Sequence, residues 1–187
     1  MPRNIQLDSA AIRVLAHPLR SRLLSALRLH GPATATELAE RLGTNTGATS
    51  YHLRKLESVG LVEDTDEGEG KRRVWRASSE YHSWQASDFA GDEDAETSLA
   101  WLTRDYVRHA AELMQRWFDA EHGWSAEWRD ALGISDDILV LTPAQTRALH
   151  EELDEVIQRY KRSPVEDPKA RQISIWQLMH PTDPDQP

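Results

Sequence analysis

The stretch from Thr34 to Gly60 constrains the fold more than any other part of the chain. Thr34 and Glu37 have the spacing of a capping box, in which the hydroxyl and the carboxylate each satisfy an orphan backbone N–H at a helix start. A helix is therefore predicted to open there, with Leu38, Ala39 and Leu42 on its inner face and Gly43 as its stop. Asn45 or Thr46 caps a second helix, whose inner face is Ala48, Leu53 and Leu56 and whose end is Gly60. The first helix braces the second through Leu38, Leu42, Leu53 and Leu56, and the braced helix keeps an outer face free.

The flanks complete a recognisable order. Residues 9–16 read as a short helix with Ile12 and Leu15 inward. Pro18 sits well in the first turn of the next helix, where its missing N–H costs nothing, and Leu19, Leu23, Leu24 and Leu27 give that helix its stripe before Gly31-Pro32 ends it. After Gly60, residues 61–77 read as a β-hairpin: Leu61-Val62, a turn-rich DTDEGEG, and a returning KRRVWRA strand. The last three of these short helices, followed by a basic hairpin, make a winged helix-turn-helix, assigned to residues 1–80.

That motif has a physical use. Its second helix enters the major groove of DNA with its N-terminal end leading. Here the outer face carries Thr46, Gly47, Ser50, Tyr51, Arg54 and, near its edge, Lys55. Hydroxyls and arginine address base edges or phosphates, and Gly47 lets backbone approach closely. Lys71, Arg72 and Arg73 lie just past the hairpin turn, where a wing reaches phosphates or a minor groove. The net charge of −9 does not oppose this reading, because it is unevenly spread: residues 1–80 carry +2 and residues 81–187 carry −11. Double-stranded DNA is the expected partner.

The remainder reads as a polar linker over 81–94, then an α+β module over 95–180 and a disordered tail over 181–187. The module is expected to run long helix, strand, helix, strand. Leu99, Leu102, Tyr106, Ala110, Leu113 and Trp117 mark the long helix, ILVLT at 138–142 and the alternating QISIWQLM at 172–179 mark the strands, and Thr142-Pro143 opens the helix between them. A short helix over 124–132 is also expected. The fold class is thus mostly α with a small β content.

Segments AHPLRSRLLSAL, TELAERLGTNTGATSYHLRKLESVGLVE and KRRVWRA together resemble the ArsR-type winged-helix transcriptional regulators, over roughly residues 10–78. The resemblance implies a homodimer, an operator of two-fold symmetry and, most often, repression. It also implies a dimer interface built from the first helix and the helix after the wing. Here that means Ile12, Leu15, Leu99, Leu102, Tyr106, Leu113 and Trp117. Many members of that family sense metals through cysteines, and this chain has none, so disulfides and thiolate metal sites are both excluded. Asp105, His109, Glu112 and His122 lack the paired close ligands of a zinc site, and no metal or other cofactor is expected.

No P-loop, G-x-G-x-x-G, G-x-S-x-G or H-E-x-x-H occurs, so the chain is not expected to be an enzyme. No apolar run is long enough to span a membrane, and the first ten residues lack the apolar core of an export signal. The cytoplasm is therefore the expected location. Two alternatives stand beside the regulator reading. One is a winged-helix scaffold that binds protein. The other is a regulator answering a small-molecule effector, in a pocket between the two C-terminal strands and the tryptophans clustered near them.

Overall fold

The computed structural model describes residues 4–68, 70, 72–163, 165–183 and 185. They divide into two compact units, Met1–Gln115 and Arg116–Pro187. The first begins with β1 (Asn4–Gln6), α1 (Ser9–Leu15) and α2 (Pro18–His30). Asp8 caps α1 by accepting from the Ala11 N–H at 2.8 Å. His17 caps α2 through its ring, with Nδ1 accepting from the Leu19 N–H at 3.2 Å and Pro18 following as the first helical residue.

Next come β2 (Ala33–Thr34), α3 (Ala35–Arg41) and α4 (Thr46–Glu57). Both halves of the predicted capping box form: Glu37 N–H donates to Thr34 Oγ1 at 3.3 Å, and Thr34 N–H donates to Glu37 Oε2 at 2.7 Å. Gly43 takes φ of 63° between α3 and α4, a left-handed turn that costs a glycine little. Strands β3 (Val62–Asp64) and β4 (Val74–Ala77) form the expected antiparallel hairpin. β2 adds itself to the far edge of β4, giving a three-stranded sheet in the order β2-β4-β3.

Residues 81–94, read from sequence as a linker, are built into this unit. β5 (Tyr81–Ser83) pairs in parallel with β1, a single 3-10 turn covers Ala86–Phe89, and α5 (Glu93–Ala120) begins at once. Phe89, Ala95, Leu99 and Leu102 join Leu7, Ile12, Leu15, Leu23, Leu27, Leu38, Leu53, Leu56 and Trp75 in one apolar core. The polar composition of 81–94 reflects its outer surface; its few apolar side chains are what anchor it.

Two polar networks tie α5 to the rest of this core. Asp105 is buried and accepts from Arg22 Nη1 at 2.9 Å, Ser21 Oγ at 3.2 Å and Arg108 Nη2 at 3.1 Å. Burial opposes its ionisation, but the bonds from Arg108, Arg22 and Ser21 outweigh burial and hold the carboxyl below its usual range. The second network centres on His82. Arg28 donates to His82 Nδ1 at 2.7 Å, to the Ser79 carbonyl at 3.0 Å and to Ser79 Oγ at 2.9 Å. A guanidinium only donates, so His82 Nδ1 is the acceptor, and the ring proton sits on Nε2, 2.9 Å from Tyr106 Oη.

The second unit holds the end of α5, a 3-10 turn over Glu121–Gly123, α6 (Ala126–Ala131) and α7 (Pro143–Arg162). The two strands expected here do not form. Residues 138–142 and 172–179 run without regular structure, and Val140 is wholly exposed while Ile138 and Ile175 are mostly so. Their apolar patterns satisfy the local requirement for a strand, but a strand also needs a neighbour for its backbone, and neither segment pairs with another. The effector pocket expected between them therefore has no walls. Depressions of about 380 and 500 Å³ in this unit lie instead beside Trp124, Trp128, Lys169 and Arg171. Among the described residues no helix is long and apolar enough to cross a membrane.

Candidate nucleic-acid interface

α3 and α4 pack as the sequence pattern requires, with Leu38, Leu53 and Leu56 fully buried. Thr49 is buried beside them, while Ala48, read as an inner residue, is only half-buried. Asn45 supplies the cap of α4: its Oδ1 accepts from the Ala48 N–H at 2.8 Å. The opposite side of α4 is open. Thr46, Gly47, Tyr51, Arg54 and Lys55 are exposed there, and Ser50 is half-buried. A side chain at Gly47 would meet the Asn45 cap oxygen at 3.3 Å, so this glycine also leaves room for the cap.

The open face is chemically coherent. Lys55 Nζ lies 5.8 Å from the centre of the Tyr51 ring, a cation–π contact that holds the two side chains as a pair. Behind them, His52 packs edge-on to Tyr51 at 5.1 Å and against His17 at 4.4 Å. Burial lowers the pKa of both histidines, and the neighbouring Arg20 lowers them further. At neutral pH this layer is therefore uncharged, and the positive charge of α4 comes from Arg54 and Lys55. Arg20, which the sequence reading passed over, lies close enough to interact electrostatically with Tyr51. Its position one turn into α2 gave no local signal; only the packing of α2 on α4 brings it there.

The wing behaves differently along its length. Lys71 lies outside the described residues. Arg72 is exposed, and with Arg41 at the end of α3 it lies within electrostatic reach of Glu37. Arg73 turns back onto the protein. Its guanidinium lies 3.3 Å from Asp64 and 3.6 Å from Glu57, and 5.6 Å from the Trp75 ring centre. It therefore links the wing to the C-terminal end of α4.

The residues grouped from sequence as a dimer interface separate in the structure. Ile12, Leu15, Leu99 and Leu102 are buried within the chain's own core and have almost no surface left to offer. Tyr106, Leu113 and Trp117 are half-buried, and Trp117 packs edge-on against Trp124 at 5.4 Å.

A capped brace helix, a tight glycine turn, an open-faced second helix and a three-stranded wing define a winged helix-turn-helix domain. Residues 15–65 match the family model of a helix-turn-helix domain. The chain is also 41% identical, over 54 residues, to the HTH-type transcriptional regulator NmtR of Mycobacterium tuberculosis. That alignment covers 29% of this chain and 44% of the relative, so the likeness is confined to less than half of either protein. The N-terminal unit thus carries a helix-turn-helix, as the sequence motifs imply.

Proposed function

We propose that this chain is a DNA-binding transcriptional regulator that acts in the cytoplasm as a homodimeric repressor on a two-fold symmetric operator. The observation that carries this reading is the division of α4 into a fully packed face and an open one bearing Thr46, Tyr51, Arg54 and Lys55. A helix so braced, with its N-terminal end uncovered, has the shape and charge to enter a major groove. Two copies would place their α4 helices about 34–36 Å apart, one turn of DNA, or a multiple of that. The half-buried Tyr106, Leu113 and Trp117 on α5 are the surface we assign to the dimer contact.

Selection of bound sequences from random DNA tests the reading directly. Recovery of a two-fold symmetric motif that maps upstream of genes is the expected result; failure to retain any duplex at low salt would overturn it. Arg54→Ala should alter the preference among operator variants, costing about 1–3 kcal/mol at one base position. A uniform loss across all sequences would make Arg54 a phosphate contact instead.

The wing makes a separate prediction. Replacing Lys71 and Arg72 together by Gln should weaken binding to all sequences alike and, with two wings per dimer, reduce the salt slope by about 4. Arg73 is reserved from this variant because its contacts to Glu57 and Asp64 give it a structural role. An unchanged salt slope would remove the wing from the DNA contact.

A further inference from the structure

Helix α7 carries an apolar seam that its own chain leaves open. Leu149, Leu153, Val156 and Tyr160 follow one another at steps of 4, 3 and 4 residues, the spacing of the core positions of a coiled coil. Leu153 is 38% exposed, Val156 41% and Tyr160 72%, and Leu149 is half-buried. An adjacent face of the same helix is the covered one: Thr146, Asp154 and Ile157 are half-buried and Gln158 is buried. The helix itself is firmly specified, with a complete capping box between Thr142 and Gln145 and Pro143 as its first residue. A rigid helix showing water a heptad-spaced stripe is shaped for another helix.

The charges beside the seam identify that helix. Glu152 and Arg159 flank the stripe on the same side and are both exposed. They are seven residues apart, about 10.5 Å along the axis, too far to pair with each other within one helix. We propose that the seam binds a second copy of itself, with the two α7 helices antiparallel about a two-fold axis between Asp154 and Glu155. In that register Leu153 meets the partner's Val156 and Leu149 meets the partner's Tyr160. Glu152 then faces the partner's Arg159, and the symmetry repeats the pair on the other side. A parallel pairing would set Glu152 opposite Ile157, with no opposite charge across the seam. Glu151 and Glu155 project away from the contact in either case.

The contact needs a second copy of the chain, as the dimer reading above does, but it does not depend on where α5 contributes. Sedimentation velocity of the full chain over a concentration series measures it. Wild type is expected to self-associate. Glu152→Arg alone and Arg159→Glu alone should each raise the midpoint concentration by about tenfold or more, and the two together in one chain should restore it. Because both residues are exposed, these changes leave the protomer folded, which circular dichroism verifies. Rescue by the double reversal is the decisive arm, since a merely structural residue would not show it. Association indifferent to either reversal, or not rescued by both, overturns the α7 contact and leaves the α5 dimer standing. A chain monomeric throughout overturns both.

The chain has no native cysteine, so orientation can be read by cross-linking. Leu149→Cys mixed with Tyr160→Cys should form a mixed disulfide. Homodisulfides of Leu149→Cys alone would instead mean parallel helices and would overturn the proposed geometry.

Discussion

Arg28→Met is expected to lower the unfolding free energy by about 2–3 kcal/mol, because it leaves buried acceptors without their donor. Ser79 is buried, and both its carbonyl and its hydroxyl take bonds from Arg28, as does His82 Nδ1. Methionine fills much of the volume but donates nothing. The loss is moderated because Arg28 itself sits at a desolvation cost, which pulls its pKa down to about 10. Urea unfolding at neutral pH checks the prediction. A change under about 0.5 kcal/mol, the range of ordinary surface substitutions, would mean that the network contributes no net stability.

Acid should destabilise the protein well above the range where carboxylates titrate. Burial, with Arg28 beside it, pushes the His82 pKa down to about 3, against 6.5 for the free side chain. The unfolded chain therefore binds a proton at this site between those values and the folded chain does not. The stability tied to His82 is complete above pH 6.5 and is lost at about 1.4 kcal/mol per pH unit as pH falls toward 3. Burial also lowers His17, His52 and His109, and their effects run in the same direction. Asp105 acts in a lower window, because its stabilisation disappears only as pH falls through a pKa below the normal carboxylate range. Unfolding at pH 7 and pH 5 should differ by about 2 kcal/mol from His82 alone. His82→Gln keeps a donor and an acceptor but cannot titrate, so it should flatten that difference. An equally steep fall in the variant would place the linkage elsewhere.

The two predictions meet in one network, and that network was invisible in the sequence. Arg28 and His82 are 54 residues apart and share no motif. What could be read was local. Helix caps are local, so Thr34–Glu37, Asn45-Thr46 and Thr142-Pro143 announce their helices, and glycines at positive φ mark the turns. Strand pairing is not local. β1 meets β5 across most of the unit, and β2 is only two residues long, so neither leaves a periodic signal. Residues 138–142 and 172–179 show the reverse case, with a strand-like pattern and no strand beside it. The α5 stripe identified residues that leave water, yet an apolar stripe does not say which surface covers it. Leu99 and Leu102 go to the chain's own core. The basic character of the wing was equally legible, whereas the return of Arg73 to Glu57 and Asp64 depends on three segments meeting in space.

Asp105 has a mechanical consequence. It grips α2 through Ser21 and Arg22 while standing on α5, and α2 in turn packs against α4. A twist of α5 cannot be absorbed at that point without pulling a buried carboxylate off its donors. A turn of α5 at Asp105 therefore has to carry α2 with it, and α2 is the helix on which α4 packs. At this level Asp105 makes α5 and α2 a single mechanical piece.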